Sequence, residues 1–239
     1  MRITILASFL SLLGIQAQAE DCVILLHGLG RTSLSMQVMG LQLRAEGYRA
    51  HAINYPSRSK SIPDLAKQVT KQIAKKCRTK GQVHFVTHSM GGILLRYSAE
   101  YLPDRMPKNM GRSVMLGPPN RGSEIVDEHG DTAWFRFGNG EAGISLGTDA
   151  ESWPSKLGSF PHEFGVIAGN KSIEPYWSGI IEGENDGKVS VESTKLEGMD
   201  DHIVMPVTHT FMVNDPDVAR QTISFLKAGK FQHEVKGAD

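Results

Sequence analysis

Two kinds of apolar pattern alternate along this chain. The first is short and rich in β-formers. Cys22 to Leu26 (CVILL) is continuous, Val83 to Val86 and Ser113 to Leu116 are similar, and Tyr48 to Tyr55 is closed by Pro56. Such runs suit strands, and the uninterrupted ones suit strands buried on both faces. The second kind recurs at helical spacing. Met36, Met39 and Leu43 share one face, and Gly47 stands where a helix would stop. Ser61-x-x-Asp64 is a capping box, and Ile62, Leu65, Ala66, Val69, Ile73 and Cys77 follow on one face. Gly91 to Tyr101 reads as a third helix that ends before Pro103. A last helix is expected near Asn214-Asp215-Pro216-Asp217, where a capping residue precedes an early proline. Strand-like residues also stand at Ile180, Ile181, Val189 and Val191. The alternation predicts an α/β fold: a largely parallel sheet with helices on both faces. Sites in that architecture lie at the C-terminal ends of strands.

Two stretches break the pattern. Arg2, the apolar run Ile3 to Ile15, and Ala17-Gln18-Ala19 have the layout of a secretory signal peptide over residues 1–19. The run is too short to span a bilayer comfortably; the alternative is an N-terminal buried helix. Residues 20–239 are then the mature single domain, exported to the periplasm or beyond. The second stretch is 128–165, which holds seven glycines among Trp134, Phe135, Phe137, Trp153, Phe160 and Phe164. It shows little period, so it is expected to be an irregular cap or lid. Trp134, Phe135, Phe137 and Trp153 are its candidate substrate contacts; the other reading is a loop whose aromatics simply pack on the domain.

Composition narrows the partners. The 239 residues carry 26 basic and 26 acidic side chains, which suggests neither a nucleic-acid partner nor a membrane surface. No stable membrane insertion is expected of the mature chain. The two cysteines, Cys22 and Cys77, form no C-x-x-C, and no metal is expected. In an oxidising compartment they have one intramolecular pairing open to them. Cys22 begins the first strand and Cys77 ends the helix that leads back to the third, so both belong on one edge of the sheet. A disulfide is expected; the alternative is two buried free thiols.

The candidate chemistry centres on Thr87-His88-Ser89-Met90-Gly91, between the third strand and its helix. A small-x-Ser-x-Gly turn there is a nucleophile elbow, which lifts a serine hydroxyl above the sheet. Threonine at the first position departs from the usual glycine. In such sites the acid and then the histidine follow the serine in the chain. Of His129, His162, His202, His209 and His233, the one suited is His209, in the loop before the last helix. His202 starts the same apolar run and belongs at its other end. Asp186, in the Asn-Asp-Gly turn of "EGENDGKVSVES", is the acid candidate; Asp200-Asp201, at an expected hairpin tip, is the rival. The backbone N–H groups of Leu29 and Met90 are the candidate oxyanion donors. Gly28-x-Gly30-x-x-Ser33 also resembles a degraded dinucleotide fingerprint, but its third glycine is missing and no acid ends the next strand.

Taken together, "LLHGLGRT", "FVTHSMGG", "NDGKVSV", "PVTHTFMV" and "MLGPPNRGSE" resemble the α/β-hydrolases, small bacterial secreted lipases and esterases above all. The resemblance spans residues 22 to about 228. It implies an α/β-hydrolase fold, a cofactor-free Ser89–His209–Asp186 mechanism, and a small-molecule or lipid ester as substrate. A thioesterase, amidase or acyltransferase on the same triad is the alternative, and a non-catalytic binding protein a further one. The resemblance does not fix the oligomeric state.

Overall fold

β1 (Cys22–Leu26) shows how the sheet is built. In the computed structural model, which describes residues 21–233, its side chains alternate between two cores. Val23 and Leu25 pack with Met36, Met39 and Leu43 on one face; Ile24 and Leu26 pack with Leu65, Val69 and Ile93 on the other. A continuous apolar strand therefore needs helices on both sides. The chain supplies them in order: α1 (Gln37–Ala45), β2 (Arg49–Ile53), α2 (Ile62–Lys76), β3 (Val83–His88), α3 (Met90–Tyr101), β4 (Met110–Leu116), α4 (Glu124–His129), α5 (Ala133–Ile144), α6 (Trp153–Lys156), β5 (Phe164–Gly169), α7 (Pro175–Ile180), α8 (Val191–Thr194), β6 (Asp201–Met205) and α9 (Pro216–Ala228).

The six strands run parallel in the order β2-β1-β3-β4-β5-β6. The chain leaves β1 in one direction to reach β2 and returns past it to β3. That reversal opens a crevice at the carboxyl ends of β1 and β3, the usual place for a ligand in an open α/β sheet. The helices have sequence-encoded ends. Ser61 accepts a hydrogen bond from the Asp64 N–H at the start of α2, and Lys75 and Lys76 complement the dipole at its end. Asp215 accepts from the N–H groups of Asp217 and Val218, Pro216 fills the first turn, and Gly229 closes α9 in the left-handed region at φ 73°.

Three expectations need correction. Ile180, Ile181, Val189 and Val191 are in no strand: Ile180 ends the short helix α7, Ile181 packs against Ile125 and Phe135, and Val191 opens α8. The 128–165 stretch is not wholly irregular. It contains α5, broken at Gly140, and α6, and its Phe164 opens β5. Gly138, Gly140 and Gly143 dilute the helical pattern of α5, and glycines in "FGVIAG" weaken the strand signal of β5. Asp200 and Asp201 are not a hairpin tip; Asp201 starts a parallel strand.

Cys22 and Cys77 form a disulfide, with Cα atoms 5.8 Å apart and a sequence separation of 55. It ties the first residue of β1 to the C-cap of α2, at the end of the sheet away from the crevice. Replacing both cysteines by alanine is expected to lower the unfolding free energy by about 4 kcal/mol, the loop-closure value for a ring of this size. Urea denaturation measures it, and an unchanged midpoint would refute the assignment. The expected signal peptide, residues 1–19, lies outside the described residues. Among the described residues no helix is long and apolar enough to cross a membrane.

Candidate active site

Ser89 joins β3 to α3 with φ 53° and ψ −126°. It is the only non-glycine with positive φ among the described residues. Such backbone strain persists only where the surroundings enforce it. Here they do: the Ser89 N–H donates to Leu116 O at 2.9 Å, and Gly92 N–H donates to Ser89 O at 2.9 Å. Close passage of β1 demands the glycine two residues on, because a Cβ on Gly91 would sit 2.7 Å from Leu26 O. The loop after β1 crosses directly over the turn, so that a Cβ on Gly28 would stand 3.1 Å from Ser89 Cβ. This brings Leu29 beside Ser89. The Met90 N–H is in the first turn of α3, where a helix offers its own N–H groups no acceptor.

The loops after β5 and β6 bring Asp186 and His209 together. His209 Nδ1 donates to Asp186 Oδ2 at 2.6 Å, and the His209 N–H donates to Asp186 O at 3.0 Å. The other carboxylate oxygen, Oδ1, accepts from the N–H groups of Lys188 at 3.0 Å and Val189 at 2.9 Å. Both side chains are nearly or fully buried. For a neutral imidazole this bond fixes the tautomer, with the proton on Nδ1 and the lone pair on Nε2. Space for the pair comes from Gly117 at the end of β4, where a Cβ would lie 3.0 Å from Asp186 Oδ2 and 3.2 Å from His209 Nδ1.

Ser89 and His209 line one cavity of about 400 Å³ at the carboxyl ends of the strands. Its apolar wall includes Ile125, Val126, Trp134, Phe135, Leu146 and Trp177. Of the expected substrate contacts, Trp134 and Phe135 line it. Phe137 does not: it is 92% exposed and faces solvent. Trp153 does not either: half-buried, it packs edge-on against Tyr97 at 4.8 Å. The rival residues lie at the far end of the sheet. Asp200 accepts from Phe164 N–H, Asp201 accepts from Phe231 N–H and contacts His233, and His202 bonds Thr194.

The family model of the Alpha/beta hydrolase family matches residues 23–219. The chain belongs to the α/β-hydrolase family. Among curated proteins none matches it in sequence. Several solved structures share its fold. The mature form of the lipase BlEst2 from Bacillus licheniformis is 20% identical with a TM-score of 0.70, covering 89% of this chain and 93% of that one. The phospholipase PlaB from Legionella pneumophila is 15% identical with a TM-score of 0.70, covering 88% of this chain and 60% of that one. The metagenomic carboxyl esterase MGS0156 is 16% identical with a TM-score of 0.64, covering 79% and 64%.

In this hydrolase Thr87 is fully buried beside Gly92. A Cβ on Gly92 would be 3.4 Å from Thr87 Oγ1. The hydroxyl is buried and has no hydrogen-bond partner among the described residues. An unsatisfied buried hydroxyl costs free energy that an isosteric methyl does not. Thr87→Val is therefore expected to raise stability by about 1 kcal/mol, read as a higher urea midpoint; a lower midpoint would show that the hydroxyl is paired.

Two histidines of the site escaped the sequence reading. His88 Nε2 donates to the carbonyl of His209 at 2.9 Å, holding that loop against the turn, while its Nδ1 is buried without a partner among the described residues. His27 stacks on Tyr55 with ring centroids 3.9 Å apart and accepts from the Tyr55 N–H at Nε2, while Tyr55 donates its hydroxyl to His27 O. His84, four residues before His88, is at the other end of β3 beside Asp21. Burial is the main cause that pushes His88 well below the ordinary histidine value and lowers His27. Below about pH 6.5 the unfolded chain takes up protons at these positions that the native form refuses. Their contribution is thus present above pH 6.5 and shrinks as pH falls toward the lowered native values. The expected slope is up to about 1.4 kcal/mol per pH unit for each histidine. Urea unfolding between about pH 7.5 and about pH 5.5 tests it, and His88→Gln should flatten the dependence. A flat wild-type profile would contradict neutral burial.

Proposed function

We propose that this α/β-hydrolase is a serine esterase acting on carboxylic esters. The observation that carries the reading is the 2.6 Å Asp186–His209 bond opening onto the same cavity as the strained Ser89. His209 Nε2 takes the Ser89 proton as Oγ attacks the ester carbonyl, and the Leu29 and Met90 N–H groups receive the oxyanion. The tetrahedral intermediate collapses, and His209 gives the proton to the leaving alcohol. Water, deprotonated by His209, then attacks the acyl-enzyme; His209 returns that proton to Ser89 Oγ as the Ser89 ester bond breaks and the acid is released. Asp186 orients the imidazole and stabilises its charged form. No cofactor enters this scheme.

The lipase, phospholipase and carboxyl esterase among the structural neighbours support an ester over a thioester or an amide. Trp134 and Phe135 supply an apolar wall for an acyl group, with α5 as a cap over the crevice. The disulfide supports an exported protein. Matched nitrophenyl ester, thioester and anilide substrates, together with a fluorophosphonate probe mapped by peptide mass, test the reading. Labelling confined to Ser89 and a dominant ester rate are expected. A label on another serine removes the proposed nucleophile, and a faster thioester or anilide rate reassigns the bond that is cut.

A further inference from the structure

We propose that the substrate of this site carries an anionic group, a carboxylate or a phosphate, which Arg31 and Arg58 receive beside the ester. The inference rests on the esterase reading for the bond that is cut, but the anion site itself is argued from the cavity. The charged side chains that line the cavity are Arg31, Arg58 and Lys188, and no aspartate or glutamate lines it. In a chain whose 26 basic and 26 acidic residues balance, a cavity of one sign is informative.

Lys188 is accounted for. It pairs with Glu174 at 2.9 Å and lies 4.8 Å from the centroid of Trp177. The two arginines are not. Arg31 Nη2 donates to the hydroxyl oxygen of Thr210 at 3.4 Å, a neutral partner next to His209. Arg58 has no ion pair among the described residues, and its guanidinium lies against Gly30. A Cβ at Gly30 would stand 2.6 to 2.9 Å from Arg58 Nη2, Nε and Cζ. Gly30 directly follows Leu29, so this charge rests on the loop that carries a proposed oxyanion donor. Nor does Arg58 sit on a loose tether. Its neighbour Ser57 accepts from the Gly30 N–H at 2.9 Å, and its own carbonyl is covered by the break of α5 at Gly140.

Asp186 is close to the cavity, yet its oxygens are already engaged by Lys188 N–H, Val189 N–H and His209 Nδ1. Among the described residues neither guanidinium therefore has a carboxylate within 4 Å. Guanidinium is the group best matched to carboxylate and phosphate through paired N–H donors. Trp134, Phe135 and Trp177 line the same cavity. A substrate with an apolar portion and an anion uses both kinds of lining; a plain fatty ester leaves the arginines idle.

The test is calorimetric binding to the full chain carrying Ser89→Ala, which needs no turnover. Two matched pairs are titrated: hexyl phosphate against hexan-1-ol, and monomethyl adipate against dimethyl adipate. The anionic member of at least one pair is expected to bind about tenfold tighter or better, with the gain shrinking in about 0.5 M NaCl. Arg31→Gln with Arg58→Gln should abolish the gain, whereas Arg31→Lys with Arg58→Lys should retain part of it, so a folding defect and a lost charge are told apart. A gain in one pair only assigns the anion as phosphate or as carboxylate. Equal binding within both pairs, or a gain that survives the double glutamine variant, overturns the proposal. Wild-type turnover of a neutral nitrophenyl ester is measured separately. Its absence sinks the esterase reading and leaves the binding arms to decide the anion site.

Discussion

Ser89→Ala is expected to lower kcat for ester hydrolysis by about a million-fold, to the residual rate that binding and oxyanion stabilisation alone support. The substitution removes one oxygen and leaves the Cβ in place, so the bonds from Ser89 N–H to Leu116 and from Gly92 N–H to Ser89 O survive. The melting temperature should change little. Turnover at saturating ester and a thermal melt on the same preparation give both readings. A variant that keeps near-wild-type kcat would show that the hydroxyl is not the nucleophile.

Asp186→Asn is expected to lower kcat by about ten-thousand-fold, through the proton it misplaces. In the native site Oδ1 is held by two backbone N–H donors, from Lys188 and Val189. An asparagine must give its single carbonyl oxygen to those donors. Its NH2 then faces His209 Nδ1, which can accept only as the opposite tautomer. The imidazole proton moves to Nε2, and the base for Ser89 is lost. Combined with Ser89→Ala the effect should be far from additive, since the groups act as one unit. Asp201→Asn is the control, because Asp201 serves Phe231 N–H and His233 at the opposite end of the sheet. Should that variant lose more activity than Asp186→Asn, the two aspartates would have to exchange roles.

Local pattern made much of this architecture readable. CVILL declares a doubly buried strand, Ser61 and Asp215 declare helix starts, and a serine between a β-branched strand and a glycine helix declares a sharp turn. What local pattern misses are features defined by distant residues. His88 looked like the variable position of a motif, yet its bond to His209 spans 121 residues. Arg58 is an ordinary loop residue until Gly30 and Gly140 are seen to close on it. Phe137 and Phe135 are two positions apart in one glycine-rich segment, and only the formation of α5 sends one to solvent and the other to the cavity. β5 was hidden because its glycines weaken the β signal while pairing on both sides with β4 and β6 holds it in place.

Part of the apolar wall of the cavity is anchored apart from the sheet, although Leu146 belongs to a sheet core. Ile125, Phe135 and Ile181 form their own cluster with Val126, Ile144, Trp177 and Ile180, and of these only Val126 also touches one of the two sheet cores. Divergence therefore has two separate tracks. Substitutions in the small cluster reshape what the cavity admits while the packing around β1 and β3 stays as it is. Changes at Gly91 or Gly117 push directly into the Leu26 carbonyl or the Asp186–His209 pair and offer no such latitude. Descendants of this chain can change the compounds they accept within a few steps, on a scaffold whose own repertoire of viable sequences is narrow.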